Sequence, residues 1–460
     1  MHSTQSWGEN QGKNEVVQSA IVDFFTHFHI GSLLNRSGIR KIRGTRPVDI
    51  ITALFSLPFQ RTTLYWGIIR NREQGFLKDA VYSVLKRPNF NWRTLLLSLS
   101  GAVIRFFIPL TGEDREMVFI LDDSPLERSR SKAVELLANV YDHCAKKYIR
   151  GFRCLCLTWS DGVSTAPVDF ALLSSHNKKN RYQEASTTVD KRSCGYRRRT
   201  EAQMKSTELL ESMVKRAIHA GIRASYILMD SWFAFPAIIT KLSAHVPVIC
   251  MLKRMPKVFY TWRGQKVNLT TLYRKVKKRP GKARIVASVL VTIAPEQTVK
   301  IIFVRDRRKK DWLALLSTDS DLADNEIVRI YGKRWDIEVF FKMCKQYLQL
   351  ENGVQVRNFD GLIAHTTIAF LRYLFLSYRQ RCERDDRTLG ELFQAECDEL
   401  RDMTLVEALH RMLTLMADVL RRTKLASEEL INNFIDEIMG SIIRKMNLSP
   451  AGVPYPLAAK

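Results

Sequence analysis

The chain has 460 residues, of which 46% are hydrophobic. That composition belongs to an ordinary globular protein of two to four domains and sets aside a disordered or fibrous chain. The formal net charge of +25 and a pI near 9.8 point to a polyanionic partner, nucleic acid before anionic membrane.

The first hundred residues read as helical. An amphipathic stretch covers 16–28, a basic glycine-bounded break covers 37–44, and Pro47 opens an apolar helix. Small helices joined by basic turns suit either DNA reading or plain packing. From residue 116 the period changes. Met117 to Leu121 is a continuous apolar run, as in a strand buried on both faces, and Asp122 ends it. Residues 152–158 alternate, Asp161-Gly162 signals a turn, and 163–173 reads as the returning strand. Residues 201–220 predict one helix stopped by Gly221. Tyr226 to Met229 is a second buried strand, ended by Asp230; a helix over 233–242 and a strand over 246–252 follow. This order predicts an α/β layer arrangement around one mixed sheet.

Residues 253–310 hold 18 Lys or Arg against two acids, and short alternating strands are predicted at 285–293 and 299–304 within them and at 312–317 just after. We expect a basic β-rich insertion there. The helical period returns at residue 324. Tyr331, Arg334, Glu338, Lys342 and Lys345 fall within about 80° of one another on a helical wheel, beside an apolar stripe of Ile330, Ile337, Phe341, Cys344 and Leu348. The same face also suits solvated i,i+4 ion pairs of Glu338 with Arg334 and Lys342. The apolar segment 362–376 is short and carries His365 and Arg372, so a buried helix is expected in place of a membrane span. The polar opening MHSTQSWGENQGKNE shows no secretory signal, and the eight scattered cysteines suit core thiols of a reducing cytosol. His143 and His365 are expected to be ordinary histidines.

Two carboxylates at strand ends and a third on a helix suit divalent ions for phosphoryl transfer. These are Asp122, Asp230 and Glu338. The spacing Tyr331, two residues, Arg334, three residues, Glu338, six residues, Lys345 resembles the YREK signature of the DDE transposases of the bacterial insertion-sequence-four family. The segments ILDDS and ILMDSWF resemble that family's first and second acidic motifs, and the basic insertion sits where the family carries one. The resemblance spans about residues 115 to 380.

The resemblance implies an RNase-H-like fold, two Mg2+ (or Mn2+) ions and cut-and-paste transposition, with hairpin ends as one route. It implies Asp122, Asp230 and Glu338 as the catalytic and metal-binding triad. Tyr331, Arg334 and Lys345 would contact the DNA end, with Lys342 on the same face. The Asp-any-Ser pattern of Asp122-Asp123-Ser124 favours Asp122 over Asp123, which a strand would turn to the opposite face. Trp232, with Trp335 second, is a candidate to hold an unstacked base, core packing being the alternative. The partners implied are double-stranded DNA, at element ends and target, and a second copy on paired ends; no membrane is expected, and the setting is the bacterial cytoplasm at the nucleoid.

The expected division is a helical DNA-binding region (1–112), a first catalytic part (113–252), the insertion (253–322), a last catalytic part with the Glu helix (323–385) and a helical end (386–460). In the last, Leu405, Leu409, Met412, Leu413 and Met416 suit either a dimer contact or an internal cap. Basic runs at 177–182 and 195–199 predict a loop that orders on DNA, and those at 274–279 and 305–310 predict phosphate contacts. A metal-dependent endonuclease without strand transfer, and a non-catalytic DNA-binding protein, remain as alternatives.

Overall fold

The apolar run before Asp122 becomes a central strand of one mixed sheet. The structure is a computed structural model. It describes residues 20–395 apart from 42, 71–77, 113–114, 143–144, 282, 296, 307–310, 354 and 383–387, with scattered residues between 397 and 441. His143, Leu405 and the 307–310 part of one basic run therefore lie outside the described residues.

Among the described residues five α-helices come first, with a π-helical turn between the third and fourth: α1 (Ala20–His27), α2 (Ile30–Arg36), α3 (Pro47–Ser56), α4 (Lys78–Leu85) and α5 (Trp92–Phe107). Pro47 stands at the start of α3, where its missing N–H costs nothing. Phe24 packs edge-on against Phe28 at 5.0 Å. The sheet strands follow: β1 (Val118–Glu127), β2 (Ala138–Asp142), β3 (Lys147–Ser160) and β4 (Thr165–Leu173). After α6 (Cys194–Ala202) and α7 (Ser206–His219) come β5 (Tyr226–Met229), α8 (Pro236–Ser243) and β6 (Val248–Leu252). Next are β7 (Phe259–Trp262), β8 (Gln265–Asn268), α9 (Leu269–Lys275), β9 (Ile285–Ala294), β10 (Gln297–Asp306) and β11 (Asp311–Ser317). The helices α10 (Asp324–Gly332), α11 (Trp335–Gln346) and α12 (Phe359–Cys382) close the series.

Strand β1 pairs antiparallel with β3 and parallel with β5, and β5 pairs parallel with β6. With β4 on β3, the order β4-β3-β1-β5-β6 is the RNase-H-like arrangement expected from the sequence. The basic segment does not form a separate layer. Its strands lengthen the same sheet, in the order β6-β11-β10-β9-β7-β8. Gly151 lets β3 meet two neighbours: it pairs with Glu127 of β1 and Ala138 of β2, and a Cβ there would lie 2.0 Å from the Leu126 carbonyl oxygen.

Three expectations need correction. Asp122 does not end its strand, because pairing with β3 carries β1 through Asp122 and Asp123 to Glu127. The helix over 201–220 is two, α6 and α7, separated at residues 203–205. The basic run at 195–199 is not a DNA-ordered loop but part of α6. Arg198 and Arg199 are buried, because Asp360 and Glu135 fold against them. The strand β2 was not foreseen.

Helix α12 is long and apolar enough to cross a membrane, yet it is buried along the protein interior. It carries Arg372, 1% exposed, whose guanidinium donates to the carbonyls of Leu54, Phe55 and Leu348. Leu54 and Phe55 lie in the last turn of α3, at the negative end of the helix dipole, and the Leu54 carbonyl also accepts the Leu57 N–H. Burial lowers the Arg372 pKa to about 9. His365, also buried, sits with Nε2 2.8 Å from the Gln349 carbonyl and is an ordinary core histidine. Among the described residues no cysteine is in a disulfide, and Cys154, Cys156, Cys250, Cys344 and Cys397 are buried.

Candidate functional site

Two parallel strands set the first two carboxylates. The β1–β5 register pairs Leu121 with Met229, so the next step brings Asp122 level with Asp230. Neighbours in register on adjacent strands point to the same face. Asp122 is paired with Cys156 of β3 one step beyond the last β1–β5 pair, while Asp230 turns out of the sheet and accepts the Trp232 backbone N–H at 2.8 Å.

The third carboxylate arrives on α11. The sequence suggested one continuous helical face from Tyr331 to Lys345; instead α10 ends at Gly332 and α11 begins at Trp335, with Arg334 as its N-cap. Lys333 and Arg334 keep near-helical angles, so Arg334 still reaches Glu338 one turn on, with Nη2 2.5 Å from Oε1. Its other nitrogen, Nη1, lies 3.2 Å from Asp122 Oδ2. One guanidinium thus ties the strand carboxylate to the helix carboxylate. The apolar stripe of Ile330, Ile337, Phe341, Cys344 and Leu348 is buried, as expected.

The electrostatics are those of crowded negative charge. Burial, followed by the facing Asp230 carboxylate, raises the Asp122 pKa to about 7; Asp123 adds to this, while Arg334 opposes it. Asp123, on the other face of β1, binds Arg153 Nη1 at 2.6 Å. Burial raises its pKa to about 6, with Arg153 opposing and Asp230 adding. The Tyr331 phenol is pushed above its usual range by burial, with Cys250, Asp230 and Asp122 adding. Its hydroxyl has no hydrogen-bond partner among the described residues.

The other basic residues divide. Lys345 Nζ donates to the Pro125 carbonyl at 2.5 Å and lies 3.6 Å from Glu351, so it is pinned beside the end of β1. Lys342 is exposed and, with Glu338 and Trp335, lines a cavity of about 760 Å³. The Glu338–Lys342 ion pair is not formed among the described residues. Trp232 and Trp335 are 43% and 61% exposed, so neither is a core residue. The Lys253 ammonium sits 5.7 Å from the Trp232 ring centre. Arg153, which holds Asp123 and caps the Tyr141 carbonyl, was not anticipated. Its alternation with Asp123 across β1 and β3 could have signalled it.

Among the described residues no three of His, Cys, Asp and Glu come close enough to hold one metal ion. Asp122 and Asp230 do present hard oxygen donors of the kind Mg2+ takes. Glu338 joins them only through Arg334, which stands where a cation between Asp122 and Glu338 would stand.

Comparison with known proteins agrees with part of this picture. No curated protein matches the sequence. Among solved structures, a piggyBac transposase synaptic complex with hairpin DNA is 13% identical, with a TM-score of 0.45, covering 97% of this chain and 88% of that one. The NurA nuclease from Sulfolobus solfataricus is 10% identical, with a TM-score of 0.23, covering 57% of this chain and 85% of that one. The family described as DDE superfamily endonuclease matches residues 39–310. That stretch takes in Asp122 on β1 and Asp230 after β5 and stops short of Glu338; it is more than half the chain, and the chain belongs to this DDE endonuclease family.

Proposed function

We propose that this DDE endonuclease is a transposase of the insertion-sequence-four type. It would cut DNA at the ends of an element and join the freed 3′-hydroxyl to target DNA, with Asp122, Asp230 and Glu338 as its metal-binding carboxylates. The observation that carries the reading is the β1–β5 register, which pairs Leu121 with Met229 and so brings the carboxylates that follow, Asp122 and Asp230, close enough to repel, while Arg334 bridges Asp122 and Glu338. The Tyr331, Arg334, Glu338, Lys345 spacing and the net charge of +25 support the finer assignment to transposition.

Divalent ions, Mg2+ or Mn2+, would supply Lewis acidity and an activated water when bound by these carboxylates. Arg334 would then give up a carboxylate, and its planar fork suits a non-bridging phosphate oxygen. The buried Tyr331 hydroxyl, which has no hydrogen-bond partner among the described residues, would donate to the same phosphate once Arg334 moves. Trp232 presents an exposed ring two residues from Asp230, suited to stacking on an extruded base. Met412 and Met416, each 52% exposed, support pairing of two copies on two DNA ends.

The test supplies the protein with duplexes carrying the DNA that flanks this reading frame, a target plasmid, and Mg2+ or Mn2+. Cut ends joined to the plasmid are expected. Cutting without joining would reduce the protein to an endonuclease. Glu338→Gln should lower cleavage by roughly 10³-fold and leave DNA binding within about twofold; cleavage that survived would remove Glu338 from the site.

A further inference from the structure

Beyond the carboxylates, β1 runs five more residues to Glu127, about 17 Å along the strand. There it opens into a cavity of about 850 Å³ between the loop at 128–134 and the loop at 351–357. Arg130, Lys132 and Arg357 line it with exposed side chains that have no ion-pair or hydrogen-bond partner among the described residues. Of the two acids there, Glu351 is engaged, accepting the Glu127 backbone N–H at 3.3 Å and facing Lys345, while the Glu127 side chain is exposed, so the cations outnumber the one open carboxylate.

The walls are held in place before any ligand arrives. Arg128 donates to the Glu351 and Leu350 carbonyls, its own N–H binds the Arg150 carbonyl at 2.7 Å, and the Arg357 carbonyl accepts from Glu135 N–H at 2.9 Å. Gly353 (φ +87°) approaches the Gln349 side chain so closely that a Cβ would sit 2.3 Å from Oε1. The Gly353 carbonyl accepts the Leu64 N–H at 3.0 Å, which joins this wall to the segment leading into the π-helical turn Tyr65–Ile69. Gly353 and Gln355 line both the cavity and a smaller one beneath that turn. The turn exposes Tyr65 (51%) and Trp66 (59%), with the Arg70 guanidinium 5.0 Å from the Trp66 ring centre.

We infer that this groove is a binding track for one flank of the DNA, with Arg130, Lys132 and Arg357 on phosphates and Trp66 packed against an exposed base or sugar. The inference rests on the proposed action on DNA and adds where one flank lies. Three unpartnered cations on a fixed, polar wall suit a polyanion of regular spacing. An exposed indole on the turn that the Gly353–Leu64 hydrogen bond ties to this wall suits the flat face of a base. At 3.4 Å per base pair, 17 Å puts the first groove contacts about five base pairs from the cut.

The experiment measures binding of the full-length protein to a labelled 30-base-pair duplex of the DNA flanking this reading frame, across a salt series. The Arg130→Ala, Lys132→Ala, Arg357→Ala triple variant should bind about tenfold more weakly and flatten the log–log salt dependence by about three. Trp66→Ala should weaken binding about tenfold with an unchanged slope. Trimming one flank, but not the other, to about three base pairs should erase the difference between the unaltered protein and the triple variant. Equal slopes and affinities, or a difference that survives both trimmings, would overturn the track. So would a triple variant that loses binding to anionic vesicles alone. If the unaltered protein bound no DNA, the proposed function itself would fail.

Discussion

Two groups of buried charge in this protein are built from the same residue types and end in opposite states. Around α6, Arg198 and Arg199 meet Glu135 and Asp360, with contacts of 2.6–2.9 Å. Burial works against ionised Glu135, yet Arg199 and the backbone N–H groups of Ser186 and Phe359 hold its pKa below the usual value. Around β1, four carboxylates (Asp122, Asp123, Asp230 and Glu338) share two guanidiniums, Arg334 and Arg153. There Asp122 and Asp123 are pushed up, to about 7 and about 6. Folding has balanced the first group and left the second short of positive charge. A balanced group holds the fold together, while a deficient one is where a cation would be welcome.

The sharpest way to break the comparison is to unbalance the first group. Asp360→Asn leaves buried Arg198 without a carboxylate and Arg199 with Glu135 alone. The expected loss is roughly 3–5 kcal/mol in urea unfolding, since a buried charge without its partner is costly. A loss below about 1 kcal/mol would mean that the network is not needed for stability.

Relieving the second group should do the reverse. The Asp122 pKa is raised in the folded protein, from an ordinary 3.8 to about 7, so the native state keeps a proton that the unfolded chain releases between those values. Stability therefore falls as pH rises through that window. Asp122→Asn removes the penalty. It should stabilise the metal-free protein by a few kcal/mol at pH 8, roughly 4 at most, and by almost nothing at pH 4. Mg2+ should raise the melting temperature of the unaltered protein at pH 8 far more than at pH 5.5, because the ligand must first lose its proton. It should do little for Asp122→Asn. A destabilised Asp122→Asn at pH 8 would show that Asp122 is balanced after all.

How much of this could be read in the chain differs between the two groups. The deficient group was largely legible. The apolar runs before Asp122 and Asp230 predict buried strands. The alternating strands at 285–293, 299–304 and 312–317 became β9, β10 and β11, although joining them to the same sheet depends on β11 finding β6. The continuation of β1 past Asp122 was hidden by Asp-Asp-Ser-Pro, residues that favour turns in isolation. Pairing with β3 overrides that local preference. The balanced group was not legible. In Gly195-Tyr196-Arg197-Arg198-Arg199 the charge is local, but the partner that buries it, Asp360, is 161 residues away. No periodicity announces such a contact.

The smallest expected effect tests the finest point, which of two adjacent aspartates belongs to the centre. Strand geometry turns Asp123 to the face of β3's Arg153, away from Arg334 and Glu338. Asp123→Asn keeps an oxygen for Arg153, which also holds the Tyr141 carbonyl. It should leave cleavage within about fivefold, where Asp122→Asn costs roughly 10³-fold. The net upward push on Asp123 is smaller than on Asp122 because Arg153 offsets its burial, so any gain in stability should also be smaller and should appear above an ordinary carboxylate pKa, complete above about pH 6. If Asp123→Asn were as inactive as Asp122→Asn, the two faces of β1 would not be separate, and the surplus of carboxylates would have to be read as one site using both.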